Sequence, residues 1–407
     1  MSKRRIITVL AVAAATAFIV AGATLPASGA TAATSSAADA MGVSPGAATT
    51  GWHVATTVGP LHGVTSVANL VATSRTNAWS TWGVCSPCGS NQTTAFQVDR
   101  WNGTGWHVLP IPQRLAHYGS DSVGFGASSG HDAWLFDASP LLGRALHWNG
   151  SHWAVRDIPR WIVRGNLSGT IQLAVADFGR AGMWVFSEGR QSLQPIVPVA
   201  ARFLHNRWSK ARLPGVPSEI SAVSPADIWS LADPQRLTSH PRQFLMHWNG
   251  RRWSTLSVPK PVTIPPNSVE FVRDLVAAGP RDVWLQRDIE TGSQGARTLY
   301  LLHWNGKSWH RVALRKPTSG VDEMARDGHG GLWLVTNGPG PAFGWFFDHM
   351  NSGRWTRTAV PQTATTTVQE VTRLAWVPGT RSEWAAGGLL PVGSNVDVLG
   401  GIWRFRG

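Results

Sequence analysis

The tetrapeptide His-Trp-Asn-Gly occurs three times in this chain, beginning at His147, His247 and His303, and a relative begins at Arg100. A second tryptophan follows each first one after five residues: Trp106, Trp153, Trp253 and Trp309. Degenerate copies occupy residues 202–208 and 349–355, and most copies run on to a proline. Asn-Gly between two aromatic-bearing arms is a β-hairpin signature, because a type I′ turn demands positive φ at both central residues. The repeat therefore predicts a series of short antiparallel hairpins.

Upstream of the hairpins stands another recurring tryptophan, usually two residues after a turn-type residue: Trp79, Trp134, Trp184, Trp229, Trp284, Trp333 and Trp384. These seven lie 45 to 55 residues apart. An apolar run precedes each one, at residues 67–73, 122–127, 171–176, 220–224, 275–278, 321–325 and 371–377. Each unit reads as an apolar strand, a tryptophan-bearing strand and the two arms of a hairpin. Four antiparallel strands repeated in this way make the blade of a β-propeller. The expected fold is all-β, with seven blades across residues 51–407.

Counting strands also closes the ring. Seven tryptophan strands are present but only six complete hairpins, and the last unit stops at Gly401-Ile402-Trp403-Arg404-Phe405. The missing arm is at the other end, where Gly51-Trp52-His53-Val54 matches Gly105-Trp106-His107-Val108. The N-terminal strand is expected to complete the seventh blade, removing a free sheet edge. Nineteen of the 23 tryptophans fall on repeat positions. Burial of such rings contributes roughly 4–6 kcal/mol each as an upper bound, which predicts core between blades rather than a row of sugar-stacking platforms.

Composition agrees with short strands and tight turns: charged residues make up 14%, against 43 glycines and 26 prolines. No long 3.6-residue periodicity is present. Residues 1–30 combine Lys3-Arg4-Arg5, an apolar run and small residues, which reads as an export signal. The Arg4-Arg5 pair hints at twin-arginine export, but the following residues suit the general secretory route better; retention as an anchor helix is the alternative. Residues 31–50 form an Ala/Ser/Thr linker, expected to be disordered. No other segment approaches the ~20 apolar residues of a membrane span.

The formal net charge is +13, and loss of Lys3, Arg4 and Arg5 would leave +10. Basic residues are scattered singly and no nucleic-acid-binding motif is present, which argues against nucleic acid. Acidic polysaccharides, teichoic acids or anionic head groups remain, as does a merely solvated surface. The expectation is a secreted, extracellular monomer whose partner is a polysaccharide, a cell-wall polymer or a protein.

The segment Asp327-Gly328-His329-Gly330-Gly331-Leu332-Trp333-Leu334-Val335-Thr336 resembles the repeat of two-component-regulator sensor propellers. More broadly, the Trp-Asn-Gly blades resemble exported, Trp-rich propellers of actinobacterial type, which are grouped with Kelch, galactose-oxidase-like and sialidase-like repeats. The resemblance implies architecture over residues 51–407 and little about activity. Sialidase chemistry would need a tyrosine nucleophile and galactose-oxidase chemistry a tyrosine–histidine copper site, yet only Tyr118 and Tyr300 exist. His147, His247, His303 and His349 belong to the repeat, so they read as strand residues rather than ligands.

Ten residues before the tryptophan of the second strand stand Asn69, Glu219, Asp274 and Glu323 in blades one, four, five and six. Three carboxylates on adjacent inner strands would line the channel. They could hold Ca²⁺, serve as a general acid and base, or simply pair with Arg273, Arg326 or water. Irregular loops collect on the face opposite the hairpins, where Tyr118, Trp161 and Arg164 are candidate contacts, since variable loops on a rigid scaffold suit recognition. Cys85 and Cys88 are the only cysteines. Zinc wants four ligands, so a loop disulfide is expected, with no metal and no cofactor beyond the possible Ca²⁺. The function expected is non-catalytic binding through the loop-rich face, with a carbohydrate-active hydrolase or lyase as the alternative.

Overall fold

The computed structural model describes residues 51–59, 63–85, 95–112, 123–137, 144–159, 161, 172–188, 199–233, 243–259, 268–291, 296–314, 320–338, 344–394 and 396–407. They form seven four-stranded antiparallel sheets. The inner strands are Val64–Ser74, Val123–Ser129, Gln172–Asp177, Val216–Ser224, Ser268–Gly279, Gly320–Arg326 and Thr366–Trp376. Each packs beside the next and the last beside the first, so the sheets form a ring. Tyr118, Arg164, Cys88 and residues 1–50 lie outside the described residues. Among the described residues helix is nearly absent, Gly179–Ala181 forming a 3-10 turn. Among the described residues no helix is long and apolar enough to cross a membrane.

Six sheets run in chain order from the inner strand outwards. The seventh does not, because its outermost strand is Gly51–Val58, paired antiparallel with Leu399–Arg406. Trp52 lies opposite Phe405 and Val58 opposite Gly400. The predicted closure is thus the observed one.

Seven apolar clusters occur among the described residues, one at each junction between neighbouring blades. The outer-strand tryptophan of one blade meets the second-strand tryptophan of the blade before it. Trp153 packs edge-on to Trp79, Trp253 to Trp184, Trp106 to Trp384 and Trp52 to Trp333. Trp52 also stacks on Phe347 at 3.8 Å. Blade-to-blade cohesion is therefore aromatic and local, as the repeat predicts.

A polar clamp that the sequence repeat did not reveal accompanies these rings. In blades two, four, five and six a histidine of the third strand stacks on the second-strand tryptophan, with centroids 3.9–4.2 Å apart. The same histidine hydrogen-bonds an aspartate at the preceding turn: His147–Asp132, His247–Asp227 and His303–Asp282 at 2.8 Å, and His349–Asp327 at 2.9 Å. Burial works to raise the Asp132 and Asp327 carboxyls, but the hydrogen bonds from their histidines hold both below the usual range. Arginine replaces histidine in the other three blades, with Arg100, Arg202 and Arg404 over Trp79, Trp184 and Trp384.

The turn expectation needs correction. In the Asn-Gly copies Trp101 pairs with Trp106 and Trp248 with Trp253, so the loop holds four residues, not two. Only the glycine has positive φ, +101° at Gly103 and +87° at Gly250. The asparagine side chain closes the loop instead: Asn249 Oδ1 accepts the N–H groups of Arg251 and Arg252, both at 3.0 Å. A two-residue turn with positive φ at both positions occurs in the degenerate copies, at His205–Asn206 and Ser352–Gly353.

Glu383 breaks the repeat. Its position carries Ala78, Ala133, Met183, Ile228, Val283 or Leu332 in the other blades. Its side chain is fully buried, and neither carboxyl oxygen has a hydrogen-bond partner among the described residues. Burial, reinforced by Asp327 and opposed by Arg326, pushes its pKa well up.

Two outcomes follow from this packing. Trp52→Ala should cost ~3–5 kcal/mol in chemical denaturation, because a ring stacked across the closure is lost. Glu383→Leu should stabilise by about 1–3 kcal/mol, since a buried acid without hydrogen-bond partners is removed. An acid with a raised folded pKa contributes fully below its unfolded pKa and loses that contribution as pH rises towards the folded one. The gain of Glu383→Leu should therefore grow from pH 4 to pH 8 in thermal melts.

Candidate functional site

Inner strands of a propeller face a central channel, and in five blades their pairing is interrupted part-way along. Bulges fall between Val67 and Asn69, Pro217 and Glu219, Val272 and Leu275, Val321 and Glu323, and twice along Thr366–Trp376. A bulge leaves one residue outside the ladder and re-aims its neighbours. Asn69, Glu219, Asp274 and Glu323 stand at or beside these interruptions and line one cavity of about 1360 Å³. The sequence spacing thus brought together four side chains on one channel wall.

That wall is asymmetric. Blades four to seven contribute Glu219, Arg273, Asp274, Asp322, Glu323, Arg326 and Arg373, whereas blades two and three contribute Val123, Leu173 and Ala174. Gly124 allows those two blades to approach: a Cβ there would lie 2.7 Å from the Leu173 Cβ.

Arg373 organises the charged side. Its Nε donates to the Ala68 carbonyl at 3.0 Å, across the junction with blade one, and its Nη1 lies 3.8 Å from Glu323. Ala68 is the residue its bulge leaves outside the ladder, so its carbonyl is available. Asp274 Oδ1 accepts the Leu275 N–H at 2.7 Å, and the backbone of Met324 in blade six also bonds its carboxyl. Burial in the channel wall raises the pKa of both Asp274 and Glu323; Arg373 opposes the rise, and the charge of Asp274 adds to it at Glu323. Burial also raises Glu370, again against Arg373.

Towards the loop-rich face, blade five extends beyond its neighbours, with an inner strand of 12 residues and a second strand of 10. Arg273 bonds the buried Asp288 at 2.6 Å and Glu290 at 2.7 Å. Its guanidinium lies 4.9 Å from the ring of Phe271, an aromatic left 37% exposed at the cavity. Gln243 reaches over from blade four, where its Oε1 accepts the Val272 N–H at 3.1 Å. The cavity mouth therefore offers an apolar ring edge amid fixed donors and acceptors.

The other candidates lie elsewhere. Trp161 packs against the junction of blades two and three, with Lys210 Nζ 5.9 Å from its ring. Cys85 is disulfide-bonded. Among the described residues no group of three or more His, Cys, Asp or Glu is placed to hold a metal ion. Sequence counting missed Arg373, Phe271 and Gln243. Counting ten back in blade seven reaches Leu374, because the turn between Trp376 and Glu383 is one residue longer than that between Arg326 and Leu332, so Arg373 takes the register position of Glu323. Phe271 and Gln243 occupy no repeat position.

Neither a protein-family model nor a curated protein matches this sequence. Solved structures do align with it. A protein of unknown function from Dyadobacter fermentans does so with a TM-score of 0.47 and 10% identity, over 88% of this chain and 100% of that one. A PL25 ulvan lyase gives 0.48 and 11%, over 82% and 93%. The Aleuria aurantia lectin in complex with Fucα1-6GlcNAc gives 0.41 and 10%, over 76% and 99%. None of the three is close enough to lend this chain its chemistry.

Because the Glu323 carboxyl is raised by burial, its contribution to stability is complete at or below the unfolded value near 4.3 and is lost as pH rises through the folded one. Glu323→Gln should therefore gain stability relative to wild type between pH 5 and pH 9, read as diverging melting curves. Curves that stay parallel across this window would show that the carboxyl is not raised.

Proposed function

We propose that this protein is an exported, non-catalytic binding propeller that receives a glycan, free or as part of a cell-wall polymer, at the loop-side mouth of its channel. The observation that carries this reading is the interleaved charge of the wall, where Glu219, Asp274, Asp322 and Glu323 stand among Arg273, Arg326 and Arg373. Such a wall presents many directional donors and acceptors with little net field. Sugar hydroxyls, which donate and accept at one oxygen, match that pattern. Phe271 supplies an exposed ring for the apolar face of a sugar. A cavity of about 1360 Å³ exceeds ordinary small-molecule pockets, which suits several linked rings. The export signal read at residues 1–30 supports an extracellular setting, and the strongly basic balance, +13 before loss of Lys3, Arg4 and Arg5, would draw acidic polymers from a distance.

One observation favours a second reading. Burial raises the carboxyls of both Asp274 and Glu323, and a carboxyl kept protonated near neutrality is what a general acid requires. A hydrolase or lyase would use this pair on the same ligand.

Glycan-array screening of the full-length protein, followed by calorimetry and product analysis, separates the two. Binding without released fragments is expected, with Phe271→Ala and Asp274→Asn each weakening affinity on the order of tenfold. Fragments that disappear in Glu323→Gln would replace the binding reading with the catalytic one. Failure to bind any glycan would sink both.

A further inference from the structure

The third-strand residue opposite the position after each second-strand tryptophan is Leu146, Ala201, Met246, Leu302 and Trp403 in blades two to five and seven. In blades one and six it is an acid, Asp99 or Asp348. Blade six shows how such an acid is satisfied. Arg357 of the outer strand, the register partner of Asp348, grips both carboxylate oxygens at 2.7 and 2.6 Å. Thr336 Oγ1 donates at 2.8 Å, and the guanidinium lies 4.8 Å from the ring of Phe346.

Blade one keeps the acid and omits the cation. The register partner of Asp99 is Val108, 60% exposed. Gln97 stands where Phe346 stands, and its Nε2 donates to both Asp99 oxygens at 2.9 and 3.1 Å. Asp99 itself is only 3% exposed. It borders a groove of about 290 Å³ at the seam with blade seven, whose wall also includes Thr56, Thr57, Gln97, Trp106 and Val108. Burial pushes the Asp99 carboxyl up to about 6 despite the bonds from Gln97, as befits an anion lacking its counter-charge.

We infer that this groove is a second binding site, taking the guanidinium of an arginine side chain on a peptide ligand in the place that Arg357 fills in blade six. A planar guanidinium matches a carboxylate by two parallel hydrogen bonds, and an ammonium cannot reproduce that fork. Trp106 offers the aromatic wall and the threonines the polar rim. The site does not depend on the channel reading.

The probe is acetyl-Gly-Arg-Gly-amide, with the neutral citrulline peptide as control, titrated into the full chain at pH 8 by calorimetry. The arginine peptide should bind at least about tenfold more tightly than the citrulline one. Asp99→Asn should lose about that factor. Val108→Arg, a change at an exposed residue, should supply the guanidinium from within the chain, abolishing peptide binding and raising the melting temperature. Should Asp99→Asn fail to fold, Val108→Arg decides alone. Equal binding of the two peptides, or a Val108→Arg protein that neither blocks the peptide nor gains stability, overturns the assignment.

Discussion

The interlocking of tryptophans from neighbouring blades is the interaction on which the rest of this molecule rests. A single four-stranded blade has two apolar faces and cannot bury either alone. Here each junction is filled from both sides, as where Trp253 meets Trp184 or Trp106 meets Trp384. Such a core is complete only in a ring. That is why Gly51–Val58 travels to the far end of the chain and sets Trp52 against Trp333 and Phe347.

A ring held at its rim leaves its inner strands free to carry irregularities. Bulges concentrate there, and each detaches a residue from the ladder without exposing the core. Arg373 shows the consequence: it uses the Ala68 carbonyl freed by one bulge and approaches Glu323 beside another, tying blades six, seven and one together. The rigid frame makes a charged channel wall tolerable, since the cost of holding raised carboxyls such as Glu323 falls on a structure secured elsewhere.

Departures from the repeat are the most informative positions. His147, His247, His303 and His349 look like candidates for chemistry in a sequence, but each is engaged twice, on a tryptophan face and an aspartate. Glu383 and Asp99 are the reverse case, acids at positions where most blades carry apolar residues. Asp348 shows that the fold has a way to satisfy such an acid, and Asp99 lacks the arginine that does so.

The seven blades, their strand order and the closure by residues 51–58 were legible in the chain. A blade is a local unit whose contacts lie within ~50 residues, and tryptophan spacing records them directly. Asn69, Glu219, Asp274 and Glu323 were legible for the same reason, because four bulges fall at one level of the repeat. Arg373 was not, since the turn after Thr366–Trp376 is one residue longer than in blade six, and an offset of one residue turns a side chain to the other face. The four-residue Asn-Gly loops escaped because the dipeptide fits two turn geometries, and pairing of the flanking tryptophans selects between them. Local order was written in the period of the sequence; which charged groups meet across blades was decided by ring closure and strand register, which no single repeat contains.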